Sequence, residues 1–102
     1  MAGMFTIDSH PAYVLFDYGA SHSIMSMGFA HRHTIPLMAI PFAYRISTLG
    51  AQLCVNTQID TVGLVLSTHT YRLQFMVLPR QDIDAILGMN WLRVYGVVLD
   101  LK

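Results

Sequence analysis

The sequence has little charge and almost no cysteine. Asp and Glu number 6, as do Lys and Arg, so charged residues make up 12% of the 102 positions, where a soluble domain usually carries about a quarter. With a formal net charge of zero and a pI near 7.0, no field draws phosphates or an anionic bilayer. Neither nucleic acid nor a membrane is therefore the expected partner. Near-zero charge instead favours self-association. Cys54 is the single cysteine; its solitude excludes an internal disulfide and a multi-cysteine zinc site, and leaves an intermolecular bridge open. A reducing compartment fits. The N-terminal stretch "MAGMFTIDSHPAYVLF" lacks a basic region followed by a long apolar one, and no uninterrupted apolar run approaches the roughly 18 residues of a membrane span. An intracellular, cytoplasmic location is expected.

Apolar residues are abundant at 54%, with mean hydropathy +0.48. A chain of this length is read as a single domain, 1–102, close to the lower limit at which one core suffices, so extra burial by oligomerisation is expected. "GMFTID" and "AYVLFD" are rich in β-branched and aromatic residues; they read as a hairpin turning at "SHP", whose proline cannot donate to a ladder. In "SHSIMSMGFAHRH" the spacing of Ile24, Met27 and Ala30 or His31 predicts a short helix, with Ser21 or Ser23 as N-cap. "IPFAYRIST", "AQLCVNTQID", "VGLVLS" and "YRLQFMVLP" read as a meander of hairpins, broken at Leu49-Gly50 and at 67–69. Then come a buried strand "AILG", a short helix around 90–95 stopped by Gly96, and a last strand "VVLDL".

Asp17 stands at the end of the apolar run "AYVLF" and ahead of Tyr18, Gly19 and Ala20. A buried strand delivers the carboxylate, and Gly19 lets the chain turn sharply behind it. The ordinary role for such an aspartate is to cap a turn or the next helix through its side-chain oxygens.

A second role comes from a resemblance. "VLFDYGASHSIMS" resembles the active-site segment of retropepsin-like aspartic proteases, in particular those of gypsy-type LTR retrotransposon polyproteins. "VLPRQDIDAILGMNWLRVYG", about sixty residues on, looks like the second landmark of the same family. The two stand in the right order, and the resemblance spans the chain from Met4 to Leu101.

The resemblance implies a mainly β, closed barrel-like acid protease subunit with one or two short helices. It implies a homodimer in which Asp17 of each copy faces its mate across a two-fold axis. Two carboxylates so placed share a proton, one acting as base on a water while the other donates to the scissile carbonyl oxygen. An acid-leaning, bell-shaped rate profile is expected. Tyr18, Gly19 and Ala20 would form the active-site loop. Residues 46–55 would form a flap with Thr48, Leu49, Gly50 and Ala51 at its tip, covering a peptide or polyprotein bound as an added strand. Leu87, Gly88 and Asn90 would support the loop, and Trp91 with Leu92 would pack the last helix. No cofactor and no metal are implied.

Two features depart from the family pattern. Tyr18 stands where the family has Ser or Thr, whose small hydroxyl bonds across the two-fold axis; a tyrosine hydroxyl lies too far from its backbone to replace it. Family domains also usually continue past "VVLDLK", so the chain is expected to be either a clipped piece of a longer polyprotein or a decayed copy with a new start. Three functions follow: an aspartic endopeptidase, a catalytically impaired dimerisation or peptide-binding module, and an aggregating fragment. Tyr18 separates the first two.

Other constellations have plainer readings. His31 and His33 are two apart on the expected helix and point to different sides, so with His10 and His22 they read as ordinary surface or helix-end histidines rather than metal ligands. Ser9-His10 and Ser21-His22 lack a nucleophile-elbow frame. Cys54 reads as a buried, inert thiol, the methionines Met25, Met27, Met38, Met76 and Met89 as gap-fillers, and Asp82 with Asp84 as a solvated start to a strand.

Overall fold

The computed structural model describes residues 2–48, 51–79 and 83–88. The alternation in "HPAYVLF" buries Ala12, Val14 and Phe16 on one face and turns Pro11 and Tyr13 outward, the period of a half-buried strand. This strand, β2 (His10–Phe16), pairs antiparallel with β1 (Ala2–Ile7) in a register that sets Ile7 against His10. Asp8 and Ser9 make the turn at φ 50° and 67°. Pro11, expected in the turn, lies inside β2 opposite Thr6. A two-residue hairpin turn of this kind needs positive φ, which the pyrrolidine ring forbids.

The chain then forms β3 (Ile24–Ser26) and α1 (Met27–Arg32). The expected helix exists, but its N-cap is Ser26, whose Oγ accepts from Phe29 N at 3.0 Å, not Ser21 or Ser23. "SIMS" before it is claimed by sheet pairing, a long-range choice that helical spacing cannot register. Next are β4 (Leu37–Thr48) and β5 (Ala51–Ile59), a long hairpin paired out to Thr48 opposite Ala51, with a register shift between Ala39 and Tyr44 around Pro41.

The expected meander ends there. The strand β6 (Val62–Leu66) pairs with β1 and with β7 (His69–Leu73), while "YRLQFMVLP" divides into β7 and β8 (Met76–Leu78). Parallel pairing of β8 with β3 replaces a hairpin return. Finally β9 (Ala85–Leu87), expected from "AILG", runs parallel to β2 on one side and antiparallel to β3 on the other. The sheet order is β4-β5-β8-β3-β9-β2-β1-β6-β7. Among the described residues β4 and β7 end this order, so the closure of a barrel is not made by these strands. The expected 90–95 helix and the strand "VVLDL" lie outside the described residues.

The arrangement of β2, β9 and β3 positions the site. Because β9 is inserted between them, β3 and β9 are buried on both faces, and alternate residues enter different cores. Met25, Ala85 and Leu87 join Val14, Phe16 and Phe29 in one; Ile24 and Ile86 join Ala20, Ile46, Val55 and Leu78 in the other. Burying a side chain of this size contributes roughly 1.5–3 kcal/mol, so a one-residue slip of β9 would exchange both cores at once. No described helix is long and apolar enough to cross a membrane.

Candidate functional site

Asp17 lies one residue beyond β2. Its N–H donates to the Leu87 carbonyl at 2.9 Å, adding one rung past the β2–β9 pairing. The chain then turns: Gly19 N donates to Asp17 Oδ1 at 2.8 Å, and Ala20 N to the Asp17 carbonyl at 3.1 Å. The ordinary turn-capping role is thus filled by one carboxylate oxygen. The other, Oδ2, is buried and has no hydrogen-bond partner among the described residues. A buried acceptor left without a donor costs on the order of 1–3 kcal/mol, and this one belongs to the group delivered by the strand.

The remaining residues of the loop have distinct surroundings. Ala20 is fully buried in the second core. Tyr18 is 52% exposed. Gly88, just past β9, abuts the loop backbone: a β-carbon there would stand 2.5 Å from the His22 carbonyl oxygen and 2.9 Å from that of Ala20. Its N–H donates to Ser23 Oγ at 3.1 Å, and Ser23 is 1% exposed. Leu87 and Gly88 therefore touch the Asp17 loop through main-chain atoms. Asn90, Trp91, Leu92 and Met89 lie outside the described residues, as do Leu49 and Gly50 of the hairpin tip; Thr48 and Ala51 are paired there.

Sequence reasoning missed two connections. Ser21 binds Ser47 of β4 through two hydrogen bonds, which the sequence signals only as two polar residues beside apolar runs. Asp84 is not a solvated residue ahead of a strand. Its Oδ2 accepts from Tyr13 N at 2.8 Å and its Oδ1 from Arg32 Nη2 at 2.9 Å, while its own N–H donates to Tyr13 O and its carbonyl accepts from Ser26 N. The carboxylate closes the end of the β2–β9 ladder and ties α1 to it. Asp82 lies outside the described residues.

Cys54 is exposed, not buried. Its neighbour Val55 takes the core-facing phase of β5, so the thiol points outward. Two of the histidines take the surface and helix-end positions expected of them, His31 in the last turn of α1 and His33 as its C-cap. His10 and His33 stack at 4.0 Å between centroids, His22 Nδ1 is 3.0 Å from Ser21 Oγ, and His31 is exposed. Among the described residues no group of three or more His, Cys, Asp or Glu could hold a metal. The pKa of His33 is lowered, first by partial burial and then by the neighbouring His10 and Arg32 charges; Asp84 and Asp8 oppose this.

A lone carboxylate with one free oxygen can polarise a water but has no second acid of its own to protonate a leaving group or carbonyl. A strand-borne aspartate, a glycine turn and a backbone contact at Gly88 on this sheet are the features of a retropepsin-like aspartic protease domain. The chain belongs to the retroviral aspartyl protease family, which it matches over residues 1–102. Among its relatives is the DDI1 homolog 1 protein of Caenorhabditis elegans, 29% identical over 98 residues; these are 95% of this chain but a quarter of that protein's length. The retroviral protease-like domain of Ddi1 from Leishmania major superposes with a TM-score of 0.73 at 21% identity, covering 100% of this chain and 82% of that one. The EIAV protease, solved with an inhibitor bound, superposes with a TM-score of 0.73 at 20% identity, covering 99% and 92% of the two chains. These similarities establish the mainly β, retropepsin-like fold.

Proposed function

We propose that this chain is an aspartic-type endopeptidase subunit of retrotransposon origin that hydrolyses peptide bonds as a homodimer. The observation that carries the reading is the division of labour at Asp17: Oδ1 is committed to the Gly19 turn while Oδ2 is buried and unpartnered among the described residues. A two-fold axis beside this loop supplies the missing second acid as another Asp17. One carboxylate takes a proton from water as its oxygen attacks the scissile carbonyl carbon; the other carboxyl gives a proton to the carbonyl oxygen. Collapse of the tetrahedral species breaks the C–N bond as the first carboxyl passes its proton to the leaving amine and a hydroxyl of the tetrahedral species returns one to the second carboxylate. Gly19, Ala20 and Tyr18 shape the loop, Leu87, Gly88 and Asn90 support it, and the β4–β5 hairpin, with residues 48–51 at its tip, acts as the flap. The retrotransposon origin is supported by the wording of the two sequence landmarks. Nucleic acid, membrane, metal and cofactor have no part in this reading.

A second reading is favoured by Tyr18. Its side chain is half exposed and its hydroxyl lies at the far end of a ring, so it does not replace a small hydroxyl beside the loop, and a displacement of the paired carboxylates can cost about a hundredfold in rate. The chain would then serve as a dimerisation or peptide-binding module. Cleavage of an apolar peptide library at mildly acidic pH distinguishes the two, with the native chain, Asp17→Asn and Tyr18→Ser in parallel. Cleavage by the native chain that Asp17→Asn abolishes supports the endopeptidase. Cleavage by Tyr18→Ser alone makes the native chain the impaired module, and no cleavage by any of them rejects the hydrolytic reading.

A further inference from the structure

The loop after Asp17 is fastened to the arm of the β4–β5 hairpin. Ser21 N donates to the Ser47 carbonyl at 2.9 Å, and Ser47 N donates to Ser21 Oγ at 2.9 Å. Ser21 Oγ also lies 3.0 Å from His22 Nδ1. The hydroxyl thus has two partners, the Ser47 amide and the His22 ring nitrogen.

The position of this contact matters more than its strength. Ile46 and Val55 at the base of the arm are buried in the same core as Ala20, so the hairpin leaves the core at Ile46 and is held again at the very next residue. Ser21 is exposed and Ser47 partly so, so water competes for both bonds. An extended peptide laid between hairpin and loop needs about 4.7–4.9 Å to each neighbouring strand, and groups bonded directly at 2.9 Å leave no room for one.

We propose that Ser21 is a positioning residue that latches the hairpin shut over the Asp17 loop in the free chain, so that an extended peptide is admitted only when the two Ser21–Ser47 bonds open. The inference rests on the reading of β4–β5 as a substrate-covering flap. The bound-competent population is reduced by the latch, and apparent affinity for peptide falls by the same factor. Loss of one solvent-accessible hydrogen bond changes such an equilibrium about three- to tenfold.

The test uses the full chain with Ser21→Ala and Ser21→Thr. Native-state hydrogen exchange at the Ser47 amide is expected to quicken about three- to tenfold in Ser21→Ala, with the core amides of Ile24 and Met25 unchanged, and to return toward the native rate in Ser21→Thr, which keeps the hydroxyl. Affinity for an apolar peptide whose scissile amide is replaced by a hydroxyethylene group should rise about three- to tenfold in Ser21→Ala, an effect that needs no turnover. Unchanged exchange at Ser47, equal acceleration of the core amides, or unaltered, weakened or absent peptide binding overturns the latch. Failure of the native chain to cleave any peptide, with the exchange and binding shifts present, overturns hydrolysis and leaves the latch standing.

Discussion

Gly88 and His22 are in backbone contact: a β-carbon on Gly88 would come within 2.5 Å of the His22 carbonyl oxygen and 2.7 Å of its carbonyl carbon. Both sides of that contact are main chain, so neither can rotate away. Gly88→Ala must displace β9 or the Asp17 loop. A loss of about 1–3 kcal/mol in urea unfolding is expected from overpacking, together with a fall in peptide cleavage of about a hundredfold for displaced carboxylates. Gly28→Ala is the contrasting substitution, since its β-carbon meets nothing closer than 3.9 Å, and it should not destabilise. Equal stability of the two variants would contradict the backbone contact.

Asp84 and Arg32 form an ion pair of unequal partners, the side chains being 23% and 61% exposed. Removing the carboxylate also strips the acceptor from Tyr13 N, so Asp84→Ala should cost about 1–3 kcal/mol. Arg32→Ala removes only an exposed partner and should cost about 0–1 kcal/mol. The two midpoints of chemical unfolding, measured side by side, give the comparison; an arginine variant as damaged as the aspartate variant would show that the ion pair, not the ladder-closing bond, carries the effect.

Stability should fall on acidification partly through His33. Its pKa lies below the ordinary 6.5 because partial burial comes first and the adjacent His10 and Arg32 charges second, with Asp84 and Asp8 opposing. As pH falls below that ordinary value the unfolded chain takes up the proton before the folded chain does, so the fold loses stability from there down to the folded pKa and no further. Above it both forms are neutral and the contribution is flat. Thermal midpoints across this window should decline more steeply in the native chain than in His33→Gln, and identical slopes would remove His33 as the cause.

Much of this molecule was legible from local pattern. The β-branched and aromatic run "AYVLFD" read as a strand, the charge at its end marked Asp17, and "AILG" read as the buried strand that is β9. These are properties of short segments, set by their side chains. Pairing misled where it was judged locally: Pro11 entered its strand, "SIMS" became β3 instead of a helix start, and the meander gave way to β1–β6 and β3–β8 pairs.

What the sequence by itself determined is a mainly β chain with one strand-borne carboxylate poised before a glycine turn. Only the tertiary structure decided that β9 inserts between β2 and β3, that Asp84 closes their ladder, that Cys54 faces outward, and that Ser21 meets Ser47. Each of these depends on groups far apart in the chain. Burial of both faces of β3 and β9, and satisfaction of backbone donors such as Tyr13 N, choose among pairings that local pattern leaves equally possible.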